Sequence, residues 1–155
     1  MTETEIAFRE AKLSDLETLV ALLADDPIGQ TRESPGLPLD PGYLAAFEAI
    51  GGDPNQELIV AETETAGVVG MLQLTFIPSL TYMGSWRAQI EGVRVSKTMR
   101  GKGLGRKLVS NAIECARLRD CRLVQLTTDK KRPEALRFYQ SLGMEATHEG
   151  MKLRL

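Results

Sequence analysis

The sequence predicts a mixed α/β fold, in the element order β α α β β β α β α β. Three observations predict it. The apolar period alternates along the chain between two and roughly 3.6 residues. A strand-like segment, residues 87–95, runs into a glycine-rich turn and then directly into an amphipathic helix. The chain has 155 residues, 43% of them hydrophobic and 26% charged, which suits one domain with a core of its own and no disulfide or metal staple.

The elements follow in order. Ile6 to Arg9 alternates apolar and polar and reads as a short strand. Ser14 and Glu17 have capping-box spacing, and Leu16, Leu19, Val20 and Leu23 then recur at helical intervals. Asp25 to Pro41 holds Pro27, Pro35, Pro38 and Pro41 with Gly29 and Gly36, and is the longest break in pattern. Asp40-Pro41 reads as an N-cap and first helical residue, with Leu44, Phe47 and Ile50 as the buried stripe and Gly51-Gly52 as the stop. Glu57 to Glu62 and Val68 to Ile77 flank a turn at Ala66-Gly67 and predict a hairpin. Pro78 to Ser85 is a loop, and Arg87 to Val95 a strand with Gly92 as a candidate bulge. Leu104, Leu108, Val109, Ala112, Ile113 and Ala116 form a helical stripe, and Leu123 to Leu126 a short strand. Pro133 opens a helix that Gly143 stops. Met151, Leu153 and Leu155 alternate with Lys152 and Arg154 and predict a half-buried terminal strand.

Composition excludes several function classes. Nineteen Lys and Arg against 21 Asp and Glu give a formal net charge of −2, which opposes general binding to nucleic-acid phosphates. No apolar run approaches the roughly 20 residues that a membrane span needs. The opening MTETEIAFRE lacks the basic and apolar regions of a secretory signal, so the expected compartment is the cytoplasm. Cys115 and Cys121 have no metal-ligand spacing, and His148 is the single histidine, so the expectation is reduced structural thiols and no metal.

The chemistry concentrates in Val93 to Leu108, VRVSKTMRGKGLGRKL. Glycines let backbone approach a ligand without a Cβ in the way. Free amides at a helix start, reinforced by the helix dipole, favour an anion, and Arg100, Lys102 and Arg106 add positive charge. A diphosphate is the natural guest. The string fits neither GxxxxGK[ST] nor GxGxxG.

Here the sequence resembles the GNAT family of N-acetyltransferases. Arg100, Gly103 and Gly105 fill that family's loop signature. FREAKLSDLETLVALL is similar to its first strand and helix, and PEALRFYQSLGM to its penultimate helix and following turn. The resemblance implies a single N-acetyltransferase domain over residues 1–155. Its mixed central sheet would be splayed to form a cofactor cleft and flanked by about four helices. It implies acetyl-CoA as cosubstrate, with the coenzyme diphosphate on the backbone amides of Arg100, Gly101, Lys102, Gly103, Leu104, Gly105 and Arg106. The pantetheine arm would pair, like an added strand, with the backbone of Val93, Arg94 and Val95.

The implied reaction is attack of a neutral amine on the acetyl thioester, which needs a base to take the ammonium proton. Glu91 is the candidate base, acting through water; a solvated or ion-paired glutamate is the alternative. Strand alternation puts it with Val93 and Val95, and a bulge at Gly92 would switch its face. Tyr139 matches the tyrosine that protonates the departing thiolate; packing beside Phe138 is the alternative. Where the family often has an asparagine contacting the coenzyme, this chain has Arg132, which would meet a phosphate or face solvent.

The acceptor wall is expected from residues 25–41 and 78–86, where Tyr82, Met83 and Trp86 either line a pocket or simply pack. Asp25, Asp26, Glu33 and Asp40 would attract a cationic amine or serve as caps and loop solvation. The expected partner is an amine-bearing acceptor, with small amines, amino acids and amino sugars ranked ahead of protein lysines or N-termini, and with no nucleic acid and no membrane. Homodimers are common in the family, and residues 151–155 would supply an edge. Two rival readings are a non-catalytic acyl-CoA-binding sensor of the same fold and an ATP-binding glycine loop.

Overall fold

The structure is a computed structural model and describes residues 5–155. Residues 1–4, part of the stretch read for a secretory signal, lie outside the described residues. The described chain divides into two compact units, one ending at Gln125 and the other comprising Leu126–Leu155.

The first unit is built on a five-stranded sheet in the order β1-β2-β3-β4-β5. β1 (Ile6–Glu10), β2 (Gln56–Thr63), β3 (Gly67–Pro78) and β4 (Trp86–Val95) pair antiparallel. β5 (Leu123–Gln125) pairs parallel with β4, so the sheet is mixed. The helix α4 (Leu104–Leu118) makes the crossover between those two parallel strands, as parallel pairing requires.

The period-two pattern decides the faces. Leu72, Leu74, Phe76, Ala88 and Ile90 lie on one face, all buried, with the α4 stripe Leu104, Leu108, Val109, Ala112 and Ala116. Val60 and Met71 lie on the other, clustered with Leu19 and Leu22 of α1 (Leu16–Ala24). The second helix, α2 (Pro41–Gly52), is capped as its sequence predicts: Asp40 Oδ1 accepts from the Gly42 amide at 2.8 Å, and Pro41 is the first helical residue. Its stripe is buried less than expected, since Leu44 is 42% exposed.

The first helix begins differently from the Ser14/Glu17 box. A 3₁₀ turn, Leu13–Asp15, precedes it, and the Lys12 amide donates to Asp15 Oδ2 at 2.7 Å. Asp15 wins this role because the Arg9 guanidinium also donates to both of its carboxylate oxygens, at 2.7 and 3.2 Å. Residues 78–85, read as a loop, contain the single turn α3 (Thr81–Gly84), with Tyr82 and Met83 left-handed at φ 53° and 60°.

The second unit holds α5 (Pro133–Gln140), which opens on Pro133 as predicted. The expected terminal strand is absent: residues 151–155 form none, and Met151, Leu153 and Leu155 are almost fully exposed. A period of two does not make a strand by itself, because the backbone N–H and C=O groups also need a neighbouring ladder.

Candidate active site

The expected diphosphate loop is a left-handed step into α4. Gly101 and Gly103 have φ of +74° and +80°, and Gly103 is the N-cap residue. A Cβ at either would meet nothing within 4 Å, so glycine is required there by conformation rather than by space. No side chain caps α4, and its first backbone bond runs from the Lys107 amide to the Gly103 carbonyl. The amides of Leu104 and Gly105 therefore lack an acceptor among the described residues, and the helix dipole places partial positive charge there.

Two amides expected at the diphosphate have internal acceptors. Arg100 N–H donates to the Ser96 carbonyl at 3.1 Å and Lys102 N–H to the Met99 carbonyl at 3.4 Å. The other five expected positions are Gly101, Gly103, Leu104, Gly105 and Arg106. The Arg100 side chain also turns inward. Its Nε donates to the Val95 carbonyl at 3.1 Å, and Nη2 reaches the Asp25 carbonyl and carboxylate at 2.8 and 3.2 Å. Lys102 and Arg106 are exposed beside the loop.

β4 opens where a coenzyme arm is expected. It pairs with β5 only from Arg87 to Gln89, so its second half has no partner on that side among the described residues. The Ser96 amide donates to the Val69 carbonyl of β3, and by strand alternation the N–H and C=O groups of Val93 and Val95 face the open edge. Val93 O accepts from Arg94 Nη1 at 2.8 Å and Val95 O from Arg100 Nε, each keeping a second lone pair.

Gly92 is the bulge. Its φ is +61°, and the β3–β4 register shifts between Met71 and Gln73 opposite it. Glu91 pairs in register with Gln73, and Arg94 with Met71, so the bulge puts Glu91 and Arg94 on one face. Val95, opposite Gly70, lies on the α4 face. Glu91 is exposed.

The acidic residues of the α1–α2 loop do not form an open lure for an amine. Asp26 Oδ2 sits 3.1 Å from Arg94 Nε, both side chains largely buried, and Asp26 Oδ1 accepts from the Ile28 and Gly29 amides. Asp25 pairs with Lys97 at 2.8 Å and with Arg100. Glu33 pairs with Arg32 and accepts from the Tyr43 hydroxyl, and Asp40 caps α2. The loop is thus clasped to β4 and the glycine loop. The sequence shows the carboxylates but not their partners, which lie up to 75 positions away.

In the second unit, Tyr139 is half-buried on α5, its ring edge-to-face with Phe138 at 5.1 Å. Arg132 is the residue before Pro133 at the α5 start. His148 is exposed, with Nδ1 2.6 Å from the Thr147 hydroxyl. Tyr82 and Met83 are largely exposed, and Arg122 stacks over the Tyr82 ring. Both cysteines are free, and burial pushes each thiol upward, away from the reactive thiolate. Among the described residues no His, Cys, Asp and Glu group is set to hold a metal ion, and no helix is long and apolar enough to cross a membrane.

A glycine step into an uncapped helix beside a half-open strand is what the loop signature implies, and a model of the acetyltransferase (GNAT) family matches residues 15–144. The chain belongs to that family. Among similar proteins, a glucosamine 6-phosphate N-acetyltransferase of Trypanosoma brucei brucei is 35% identical over 91 residues, 59% of this chain and 60% of that one. An aminoalkylphosphonate N-acetyltransferase of Salmonella typhimurium strain LT2 is 34% identical over 96 residues, 62% of this chain and 61% of that one. The chain thus spans about 60% of the length of these curated relatives. A crystal structure titled as a transcriptional regulator from Bacillus halodurans C-125 is 54% identical, covers 97% of this chain and 100% of its own, and superposes with a TM-score of 0.94. This GNAT member therefore has N-acetyltransferases among its relatives.

Proposed function

We propose that the protein is an acetyl-CoA-dependent N-acetyltransferase that acts on the primary amine of a small molecule, by direct attack in a ternary complex. The observation that carries this reading is the left-handed Gly101–Gly103 step opening onto the uncapped start of α4, next to the unpaired half of β4. Gly101, Gly103, Leu104 and Gly105 donate main-chain hydrogen bonds to the coenzyme pyrophosphate, with Lys102 and Arg106 supplying charge. Val93, Arg94 and Val95 carry the β4 backbone that meets the pantetheine amides. Arg132 is a further coenzyme contact. The whole of residues 1–155 works as one domain, a reading supported by the family match, which crosses the Gln125–Leu126 boundary. It acts in the cytoplasm without a metal, and a homodimer is compatible with the family.

In the reaction, the amine nitrogen attacks the thioester carbonyl carbon. A new C–N bond forms and the C–S bond breaks. Glu91 accepts the amine proton through water, and the Tyr139 phenol returns a proton to the departing thiolate, giving an acetamide and free CoA thiol.

The test is thiol release from acetyl-CoA across an amine panel. An amine-dependent rate that falls at least tenfold in Tyr139→Phe, with acetyl-CoA affinity retained, supports transfer with a tyrosine acid. Stabilisation by CoA without thiol release for any amine points to the binding module instead. Stabilisation by ATP in preference to CoA overturns the coenzyme reading.

A further inference from the structure

The strand register brings together polar side chains that are scattered in the sequence. Gln56 lies opposite Thr75, Thr75 opposite Gln89, and Gln89 opposite Gln125, so one row crosses four strands. Gln73 lies opposite Glu91, and Ile77 opposite Arg87. Alternation puts Arg87, Gln89 and Glu91 on one face of β4, away from the buried Ala88 and Ile90. A solvated sheet face explains polar residues, but not this choice of them. Gln56, Gln73, Thr75, Gln89 and Gln125 are all half-buried. They are also tied to one another. Gln73 Nε2 and Thr75 Oγ1 donate to Gln56 Oε1 at 3.0 and 2.8 Å, and Gln125 Nε2 donates to Gln89 Oε1 at 2.9 Å. Each amide has hydrogen-bonding capacity beyond these bonds.

Arg87 is the second observation. Its Nη2 donates to Ser79 Oγ at 2.8 Å and Thr81 Oγ1 at 3.0 Å, and its Nη1 points to Gln125 Oε1 at 3.4 Å. All three partners are neutral oxygens. Arg9, Arg94 and Arg100, in the same sheet and its following loop, each pair with a carboxylate, and among the described residues Arg87 does not. A positioned guanidinium with no counter-charge is suited to an oxyanion. Arg87 and Glu91 are four residues apart on one strand face, about 13 Å between Cα atoms, with the glutamines between and beside them.

We propose that this face is the floor of the acceptor site and that the acceptor is a small hydroxylated primary amine carrying a phosphate or phosphonate. Glu91 meets the amine, Gln73, Gln89 and Gln125 meet hydroxyls, and Arg87, with Ser79 and Thr81, meets the phosphorus oxyanion. The inference rests on the acetyl-transfer reading for the role of Glu91. The names of two relatives, for glucosamine 6-phosphate and for aminoalkylphosphonate, support the same chemistry.

The experiment compares glucosamine 6-phosphate, 2-aminoethylphosphonate, glucosamine and butylamine, in calorimetric binding with CoA present and in thiol release. The expected result is a kcat/KM and an affinity for glucosamine 6-phosphate at least tenfold above those for glucosamine, with butylamine weakest. Arg87→Gln reduces that preference about tenfold, Arg87→Lys restores part of it, and the CoA-induced rise in melting temperature survives in both. Transfer to glucosamine equal to that to glucosamine 6-phosphate, or a preference unchanged in Arg87→Gln, overturns this proposal and leaves the acetyl-transfer reading intact. Selective, Arg87-dependent binding of glucosamine 6-phosphate without thiol release upholds the floor and overturns transfer.

Discussion

Removing the Asp26 carboxylate tests the clasp between the α1–α2 loop and β4. Asp26 and Arg94 have side chains 14% and 11% exposed and stand 3.1 Å apart, so water screens their attraction little. Asp26→Ala takes the carboxylate from a largely buried guanidinium, a change that costs about 3–5 kcal/mol at such sites. It also removes the acceptor of the Ile28 and Gly29 amides. For a chain of this size each kcal/mol lowers the melting temperature by about 2–4 °C, so the variant should melt roughly 6–20 °C below wild type. Asp25→Ala is the internal comparison. Its partners Lys97 and Arg100 are 71% and 45% exposed, and pairs of that kind contribute about 1 kcal/mol or less. Differential scanning calorimetry at 50 mM and 500 mM NaCl separates the two. The Asp25→Ala deficit should be a few degrees and shrink with salt, and the Asp26→Ala deficit should persist. An Asp26→Ala protein melting within about 2 °C of wild type, or two variants with the same salt response, would show that the Asp26–Arg94 pair does not hold the loop.

Further predictions concern the loop and the first helix. Gly103→Ala forces a left-handed alanine at φ +80° and should cost about 1–2 kcal/mol, whereas Gly51→Ala, in a helix with nothing within 4 Å of its Cβ, should stabilise by about 0.5–1 kcal/mol. Urea denaturation checks both signs, and CoA affinity should fall only in the Gly103 variant. The Arg9 hydrogen bonds hold the Asp15 carboxyl below the usual carboxylate range. Its stabilisation is therefore complete above the unfolded-state value near 4 and is lost as pH falls through the lower folded value. Asp15→Asn should lower the melting temperature at pH 7 by about 2–6 °C, with the gap to wild type closing as pH falls below the usual carboxylate range in a pH series of melts.

The parts of the site legible in the sequence are those whose physics is local. Gly101 and Gly103 announce a left-handed step because few other residues accept that backbone, and Asp40-Pro41 announces a helix start because capping involves neighbours. Gly92 marks the bulge for the same reason, but which way it turns Glu91 depends on the β3 register. Partnerships across the fold are not legible. Asp25 and Asp26 look like free acidic charge until β4 brings Arg94 and Arg100 beside them. The glutamine row is invisible in one dimension, since residues 56, 75, 89 and 125 meet only through three successive strand registers. Met151 to Leu155 shows the converse: the alternation is present, and no strand follows, because nothing in the local sequence supplies a partner ladder.

In the proposed function, main-chain donors at the start of α4 hold the coenzyme by its pyrophosphate. Isothermal titration with CoA and with pantetheine, which lacks that group, tests it most directly. CoA should bind saturably, pantetheine at least a hundredfold more weakly, and Gly103→Ala should lower the CoA affinity. Equal affinity for the two ligands, or CoA binding indifferent to Gly103→Ala, would contradict it.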